Sequence, residues 1–219
     1  MSTQSDLARD QMVKQQVRAG DVLDQRVLAT LQRVPRERFV PAAWRELAFA
    51  DTAIALPAGQ RMLPPMLVGR ILQALELQVS DRVLEIGTGS GFLSACLAQL
   101  AASVHSLELH AELVEYARTN LAATATRGVE VQHLDAYQFA PPAQGFDAIV
   151  LTGSLPVPDT RFQHWLAPGG RLFAVIGHAS PMEAQLIRRV GAEQWHQQSL
   201  FETELSMLEH SRQAEVFRF

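Results

Sequence analysis

The chain contains few of the features that mark several large classes of protein. Its 219 residues include one cysteine, Cys96, so no disulfide can form within the chain, and a single thiol fits a reducing compartment. No apolar run approaches the roughly 18 residues of a membrane helix, and the polar stretch from Met1 to Asp10 has no signal-peptide core. We therefore expect a cytoplasmic protein with no membrane partner.

Basic stripes, metal-ligand spacings and a hydrolase motif are also missing. The net charge is −4 and the 19 basic residues are scattered, which argues against a nucleic-acid partner. The seven histidines show no metal-ligand spacing and one cysteine cannot build a zinc set, so we expect no metal. Ser90 stands in G-x-S-G and not in the G-x-S-x-G of a nucleophile elbow. The absence of this motif counts against a hydrolase.

The strongest positive signal is the stretch VLEIGTGSGF at 83–92. An apolar strand breaks at Gly87, Gly89 and Gly91, and a helical pattern of leucines follows from Leu93, which predicts strand, tight turn and helix. Glycines at alternate positions permit positive φ and leave no Cβ between the backbone and a ligand. We expect the helix N-terminus to face that ligand, a small molecule with a nucleoside and a charged group.

Two acids beside this turn narrow the choice of ligand. The dinucleotide fingerprint G-x-G-x-x-G needs glycine where Phe92 stands. Glu85 lies two residues before the first glycine, and Glu108 ends the next predicted strand, where a carboxylate can accept both ribose hydroxyls. This combination resembles the S-adenosylmethionine site of Rossmann-like methyltransferases. The candidate cofactor-binding residues are Glu85, Gly87, Thr88, Gly89, Ser90, Gly91, Glu108, Leu109, Asp135, Ala136 and Thr152.

Some of these residues have structural interpretations as well. Asp135 could reach the exocyclic amine of an adenine or cap a helix over 136–140, and the sequence favours neither. Thr152 lies at the carboxyl end of the fourth strand, where open α/β sheets bind ligands. Asp147, at the start of that strand, is expected to anchor a turn, and Gly169-Gly170 to turn into the fifth strand.

The alternation of strands and helices after residue 82 predicts an α/β fold with a mostly parallel, Rossmann-like sheet. Residues 1–80 are expected to form a helical cap over the cofactor edge, and 81–219 the core, in one compact domain. Within residues 1–80, Asp24 is expected to be the N-cap residue of one helix, and Pro64-Pro65 to begin another helix. The predicted parallel strands are 82–86, 103–108, 129–134, 146–151 and 170–176, and the predicted helices lie near 91–101, 110–122 and 160–167. An antiparallel hairpin is expected at 183–190 and 194–201. Val216–Phe219 is a candidate for a further strand.

The order of these pieces resembles the protein-L-isoaspartate O-methyltransferase family over roughly residues 10–205. The resemblance implies S-adenosylmethionine as cofactor, S-adenosylhomocysteine as product, and a peptide or protein acceptor with an abnormal aspartyl carboxylate. Such enzymes methylate the misplaced α-carboxylate of isoaspartyl residues in damaged proteins. The shared stretches are Met12-Val13 with Gln16, Pro35 to Pro41, Ala48 to Asp51, Gly59-Gln60, Val83 to Phe92, Leu166 to Val175 and the final hairpin.

One segment departs from the family pattern. After Gly-Gln the family has Thr-Ile-Ser-Gln-Pro, where this chain has Arg61-Met62-Leu63-Pro64-Pro65, so Leu63 stands in place of the proposed active-site serine. By position, the resemblance assigns Asp51, Gln60, Arg61 and Leu63 to the catalytic side. We hypothesise that Arg61 holds an acidic acceptor through its planar, charged fork, the alternative being a solvated loop arginine. The family's ending Phe-Val-Pro-Leu is here Phe201 to Glu204.

Three functions remain open from the sequence. The first is an isoaspartyl-type carboxyl methyltransferase that tolerates Leu63. The second is a methyltransferase of the same fold with another, small or unidentified, acceptor. The third is a catalytically silent protein that binds S-adenosylmethionine. A carboxylate acceptor is ionised at neutral pH and needs no general base, so the lack of a catalytic triad is compatible with an enzyme.

Overall fold

A computed structural model describes residues 4–213, and the predicted tail strand Val216–Phe219 lies outside the described residues. Its nine strands are β1 (Ile54–Ala55), β2 (Arg61–Met62), β3 (Arg82–Ile86), β4 (Ser103–Glu108), β5 (Val129–His133), β6 (Phe146–Leu155), β7 (Leu166–Ile176), β8 (Met182–Gly191) and β9 (Gln194–Thr203) within those residues. Its six α-helices there are α1 (Gln4–Met12), α2 (Gln25–Arg33), α3 (Pro65–Leu75), α4 (Phe92–Leu97), α5 (Ala111–Ala123) and α6 (Thr160–His164).

The main sheet has seven strands in the order β5-β4-β3-β6-β7-β8-β9. The first five are mutually parallel, and β8 pairs antiparallel with β7 and β9, so the predicted mostly parallel sheet with a C-terminal hairpin is confirmed. Since the carboxyl ends of parallel strands meet at one edge, the segments that follow β3, β4, β5 and β6 lie together there.

Alternation along the strands creates a buried core on each face of the sheet. Val83, Val150 and Phe173 belong to one buried cluster, whereas Leu84 and Ile149 belong to the other. Residues from 12–77 contribute to the first cluster together with the sheet and α4. Both predicted segments, 1–80 and 81–219, therefore share one hydrophobic core, and burial of this apolar surface is the main force that holds them together.

Local signals in the N-terminal segment act as expected. The Asp24 carboxylate accepts a hydrogen bond from the Arg26 amide at 2.8 Å and caps α2. Helix α3 begins at Pro65, where a missing amide proton costs nothing. Asp147 accepts a hydrogen bond from the Arg82 amide at 2.8 Å, which joins β6 to the start of β3 and confirms its structural role.

Two predicted helices are too long, and one predicted turn is wrong. Helix α4 ends at Leu97, because the chain then tightens and the Gln99 amide bonds to the Cys96 carbonyl at 3.1 Å. Helix α6 ends at His164 because Leu166 pairs with Phe146 and is drawn into β7. The Gly169-Gly170 pair consequently lies inside β7, at a break in its register with β6, and not before the strand.

Candidate active site

The glycine turn between β3 and α4 has the backbone that the sequence predicts. Gly87, Gly89 and Gly91 all have positive φ, at 95°, 54° and 84°. A Cβ on Gly87 would lie 2.1 Å from the Thr152 hydroxyl oxygen, so a larger residue would displace the Thr152 side chain. That hydroxyl lies 3.0 and 2.8 Å from the carbonyl oxygens of Ile86 and Gly87 and fixes the turn to β6.

Glu108 at the end of β4 is buried beside this turn. Its Oε2 accepts a hydrogen bond from the Gly89 amide at 2.9 Å, and its Oε1 accepts one from the His110 amide at 3.0 Å. Each carboxylate oxygen has two lone pairs, so both oxygens keep one for a ligand. The carboxylate can thus hold the turn and accept two hydroxyl groups at the same time.

Glu85 lies at the floor of the site and is fully buried. Its Oε2 accepts hydrogen bonds from the hydroxyls of Ser94 and Ser106, the latter at 2.6 Å, while its Oε1 is buried without a partner among the described residues. Because Ser106 donates its proton to Glu85, the 2.6 Å contact between Ser106 and Thr88 requires Thr88 as donor. Burial, with a smaller contribution from the charge of Glu108, raises the pKa of Glu85 to about 7.

Asp135 follows β5 at the same edge. Its Oδ1 accepts a hydrogen bond from the Tyr137 amide at 2.8 Å and caps a short 3₁₀ turn, Ala136–Gln138. Its Oδ2 lies 2.7 Å from Nδ1 of His210. The capping interpretation is therefore confirmed, although for a shorter turn than predicted.

Residues 48–63 bring β2 to the opposite wall, and we call them the acceptor-side segment because the sequence assigned Asp51, Gln60, Arg61 and Leu63 to the catalytic side. Arg61 is exposed at this wall, and its guanidinium has no hydrogen-bond or ion-pair partner within residues 4–213. Leu63 is half-buried and packs against the main core. Asp51 is exposed, and its Oδ1 accepts a hydrogen bond from the Met66 amide at 3.0 Å. That bond joins Asp51 to the first turn of α3, which gives it a structural role.

A C-terminal strap, residues 204–211, closes one side of the site. The strap runs beside β6, where the Leu208 amide donates to the Ser154 carbonyl at 2.8 Å and Gly153 packs closely on Leu208. Oε1 of Glu209 lies 2.8 Å from both the side-chain Nε2 of Gln60, which donates to it, and Nε2 of His110. The strap thereby links the acceptor-side segment to the end of β4.

These elements enclose a cavity of about 450 Å³. Asp51 and Gly91 do not line it, although the sequence assigned both to the site. The sequence missed His110, Tyr137 and residues 204–209 of the strap, which do line it. The predicted residues that line the cavity are Gln60, Arg61, Leu63, Glu85, Gly87, Thr88, Gly89, Ser90, Glu108, Leu109, Asp135, Ala136 and Thr152.

Comparison with known proteins identifies the family. The family model described as protein-L-isoaspartate(D-aspartate) O-methyltransferase (PCMT) matches residues 7–207. The chain belongs to this family. A protein-L-isoaspartate O-methyltransferase from Methanoculleus marisnigri is 40% identical over 187 residues, which is 84% of each chain, and one from Aeropyrum pernix is 41% identical over 174 residues, or 78% of this chain and 67% of the relative.

Solved structures confirm the methyltransferase fold. A crystal structure described as a protein-L-isoaspartate O-methyltransferase (PCMT) from Plasmodium falciparum, in complex with S-adenosyl-L-homocysteine, superposes with a TM-score of 0.79 at 19% identity. The superposition covers 92% of this chain and 98% of that one. Members of the PCMT family are S-adenosylmethionine-dependent methyltransferases, so the cofactor expected from the glycine turn is confirmed.

The lining of the cavity suits the positively charged groups of this cofactor. S-adenosylmethionine carries a sulfonium and an ammonium group, and the carboxylates of Glu108, Asp135, Glu204 and Glu209 line the cavity, with the carboxyl of Glu85 at its floor. The glycine turn leaves room at Gly89 for the backbone to approach a ligand closely. Within residues 4–213, no group of three or more His, Cys, Asp or Glu side chains is arranged to hold a metal ion. No helix of the described part is long and apolar enough to cross a membrane.

Proposed function

We propose that this PCMT-family protein methylates the α-carboxylate of L-isoaspartyl residues in peptides or damaged proteins. The observation that carries the proposal is the match to relatives of that name across 84% of the chain at 40% identity. The match spans the acceptor-side segment as well as the glycine turn, since the family model covers residues 7–207. We further propose that the protein acts in the cytoplasm, because its only cysteine is a free, buried thiol.

The side chains around the cavity support transfer without a general base. When bound, S-adenosylmethionine supplies an electrophilic methyl group together with its own leaving group. A carboxylate acceptor is ionised at neutral pH, so the protein has to desolvate it and align it. Arg61 lies at the cavity wall, its guanidinium has no partner among residues 4–213, and it can hold a carboxylate through two parallel hydrogen bonds. Met62 and Leu63 add apolar surface that excludes water beside it.

A second acceptor class is favoured by one specific observation. Leu63, in the position of the family's serine, offers no hydroxyl to a peptide backbone or carboxylate. A protein that has moved to another acceptor would keep the cofactor residues and change this segment, as residues 61–65 do. The cavity also has Glu204 and Glu209 at its strap side, which would disfavour a strongly acidic peptide.

Methyl transfer to a matched pair of peptides tests the proposal. The peptides share one sequence and differ only in an isoaspartyl or a normal aspartyl linkage, and base-labile methyl ester is measured with labelled S-adenosylmethionine. We expect turnover of the isoaspartyl peptide alone. The double change Arg61→Thr with Leu63→Ser restores the family pair: if the native protein is inactive and this variant is active, the protein has left the isoaspartyl substrate behind.

A further inference from the structure

Arg36 is a fully buried arginine that the proposed chemistry does not use. Its side chain has 0% exposure, and none of the ion pairs among residues 4–213 includes it. One guanidinium nitrogen, Nη1, is buried without a hydrogen-bond partner in the described part of the chain. Burial lowers the pKa of Arg36 to about 10, so the group remains charged at neutral pH. An unpaired buried charge is a poor source of stability, so stability alone does not explain why an arginine lies here.

The other two nitrogens of Arg36 hold the two ends of the acceptor-side segment. Nε donates to the Ala48 carbonyl at 2.9 Å, and Nη2 donates to the Leu63 carbonyl at 2.7 Å. The guanidinium also lies over the ring of Phe92, 4.8 Å from its centroid. Phe92 begins α4 directly after the glycine turn and lines the cavity. One planar group thus contacts both ends of the acceptor side and the cofactor side of the site.

We propose that Arg36 is a positioning residue that fixes the acceptor-side segment relative to the cofactor turn. This inference rests on the proposed function, since it takes residues 60–63 as the acceptor wall. Between the two carbonyls, the chain passes through β1, a 3₁₀ turn at Pro57–Gly59 and β2. β1 and β2 are two residues long and, in the part of the chain that the structure describes, pair only with each other, so they supply little rigidity of their own.

A guanidinium suits this role better than an ammonium. Its donors lie in one rigid plane, so a single side chain can reach two carbonyls and stack on an aromatic ring. A lysine at this position keeps the charge but loses the planar fork. Displacement of reacting groups by about 1 Å can lower the rate as much as a hundredfold. Loss of the bond to the Leu63 carbonyl should therefore change the kinetic constants for the acceptor.

The test compares Arg36→Lys with Arg171→Lys. Arg171 is the control because it is also a buried arginine bonded to backbone carbonyls, those of Leu75 and Asp147. Within residues 4–213 its remaining hydrogen bonds go to the Glu76 carbonyl and to Asp81, with which it also forms an ion pair, so it bonds to neither end of the acceptor-side segment. For Arg36→Lys, we expect the KM for the isoaspartyl peptide to rise about tenfold, with the Kd for S-adenosylmethionine changed less than about threefold. Amide hydrogen exchange should accelerate at residues 60–63 in that variant and not in the control.

The outcomes separate the positioning role from a structural one and from the proposed function. If both variants lower the thermal midpoint alike, while the KM and the exchange at 60–63 stay at native values in Arg36→Lys, the positioning role is refuted. Arg36→Met fills similar space without hydrogen-bond donors. It should raise the KM and accelerate exchange at residues 60–63 more than Arg36→Lys does. If the native protein does not turn over the isoaspartyl peptide, the proposed function fails, and the exchange at 60–63 alone then decides whether Arg36 positions the segment.

Discussion

Replacement of Glu85 by glutamine removes a titrating group from the floor of the active site while it keeps the shape of the side chain. The glutamine oxygen can accept the hydrogen bonds that Ser94 and Ser106 donate to Glu85 Oε2. The change therefore isolates the cost of ionising a carboxyl group that is 0% exposed. That cost should appear as a pH dependence of the free energy of unfolding.

The direction and size of this pH dependence follow from the pKa of Glu85, which burial raises from 4.5 to about 7 in the folded protein. The folded state binds the proton more tightly than the unfolded state, so protonation of Glu85 stabilises the fold below pH 4.5. This contribution is lost as the pH rises through 7. At roughly 1.4 kcal/mol per unit, the contribution amounts to about 2–3 kcal/mol between pH 5 and pH 8.

Urea unfolding of both proteins without cofactor, followed by tryptophan fluorescence, measures the effect. The native protein should gain about 2–3 kcal/mol relative to Glu85→Gln when the pH is lowered from 8 to 5. All other carboxyl groups are common to the two proteins, so their titration cancels in the difference, except for Glu108, whose charge interacts with Glu85. A difference in unfolding free energy that stays constant from pH 5 to pH 8 would show that Glu85 is ionised in the folded protein at low pH, and would refute the argument.

Three further changes test the two walls of the cavity. Glu108→Ala should weaken S-adenosylmethionine binding by about 1–3 kcal/mol, the cost of unpaired ribose hydroxyls, and unchanged affinity in calorimetry would remove Glu108 from the site. Gly89→Val should abolish cofactor binding, because the valine Cβ would lie 3.3 Å from Leu56 and its two methyl groups would occupy ligand space. Circular dichroism checks that the variant is folded, and persistent binding would place the ligand elsewhere. Arg61→Ala should raise the acceptor's KM roughly ten- to a hundredfold and leave cofactor affinity unchanged, whereas an unaltered KM would make Arg61 a solvated loop residue.

The features that the sequence predicted well are those that depend on neighbouring residues. The strand, glycine turn and helix at 83–92 follow from an apolar run and three glycines, and their φ values of 95°, 54° and 84° agree. Glu108 could be placed because it ends a parallel strand, and such ends share one edge of the sheet.

Errors arose where pairing between strands overrode a local pattern. Residues 160–167 look helical in isolation, but the Phe146 amide donates to the Trp165 carbonyl at 2.9 Å and Leu166 pairs with Phe146. The energy of that pairing depends on a strand some 20 residues away, so no local window contains it. The start of β7 moves to Leu166 for the same reason, and Gly169-Gly170 becomes an irregularity within the strand.

Contacts over long sequence separation could not be predicted at all. Glu209 meets Gln60 across 149 positions, and Arg36 meets the Leu63 carbonyl across 27. Neither residue lies in a pattern that indicates its partner. Both contacts depend on where the fold carries the chain, and both act on the wall whose sequence departs from the family.

The sequence offered two interpretations of Asp135, as a helix cap or as a ligand contact. One carboxylate can combine both roles. In the structure its Oδ1 caps the turn at Tyr137, while its Oδ2 lies by His210 and the residue lines the cavity. Glu108 has the same duality, since it holds the Gly89 amide and keeps a lone pair on each oxygen. Residues that bind a ligand at the end of a strand must themselves be held in place. A capping role is therefore compatible with a place for such a carboxylate in the site.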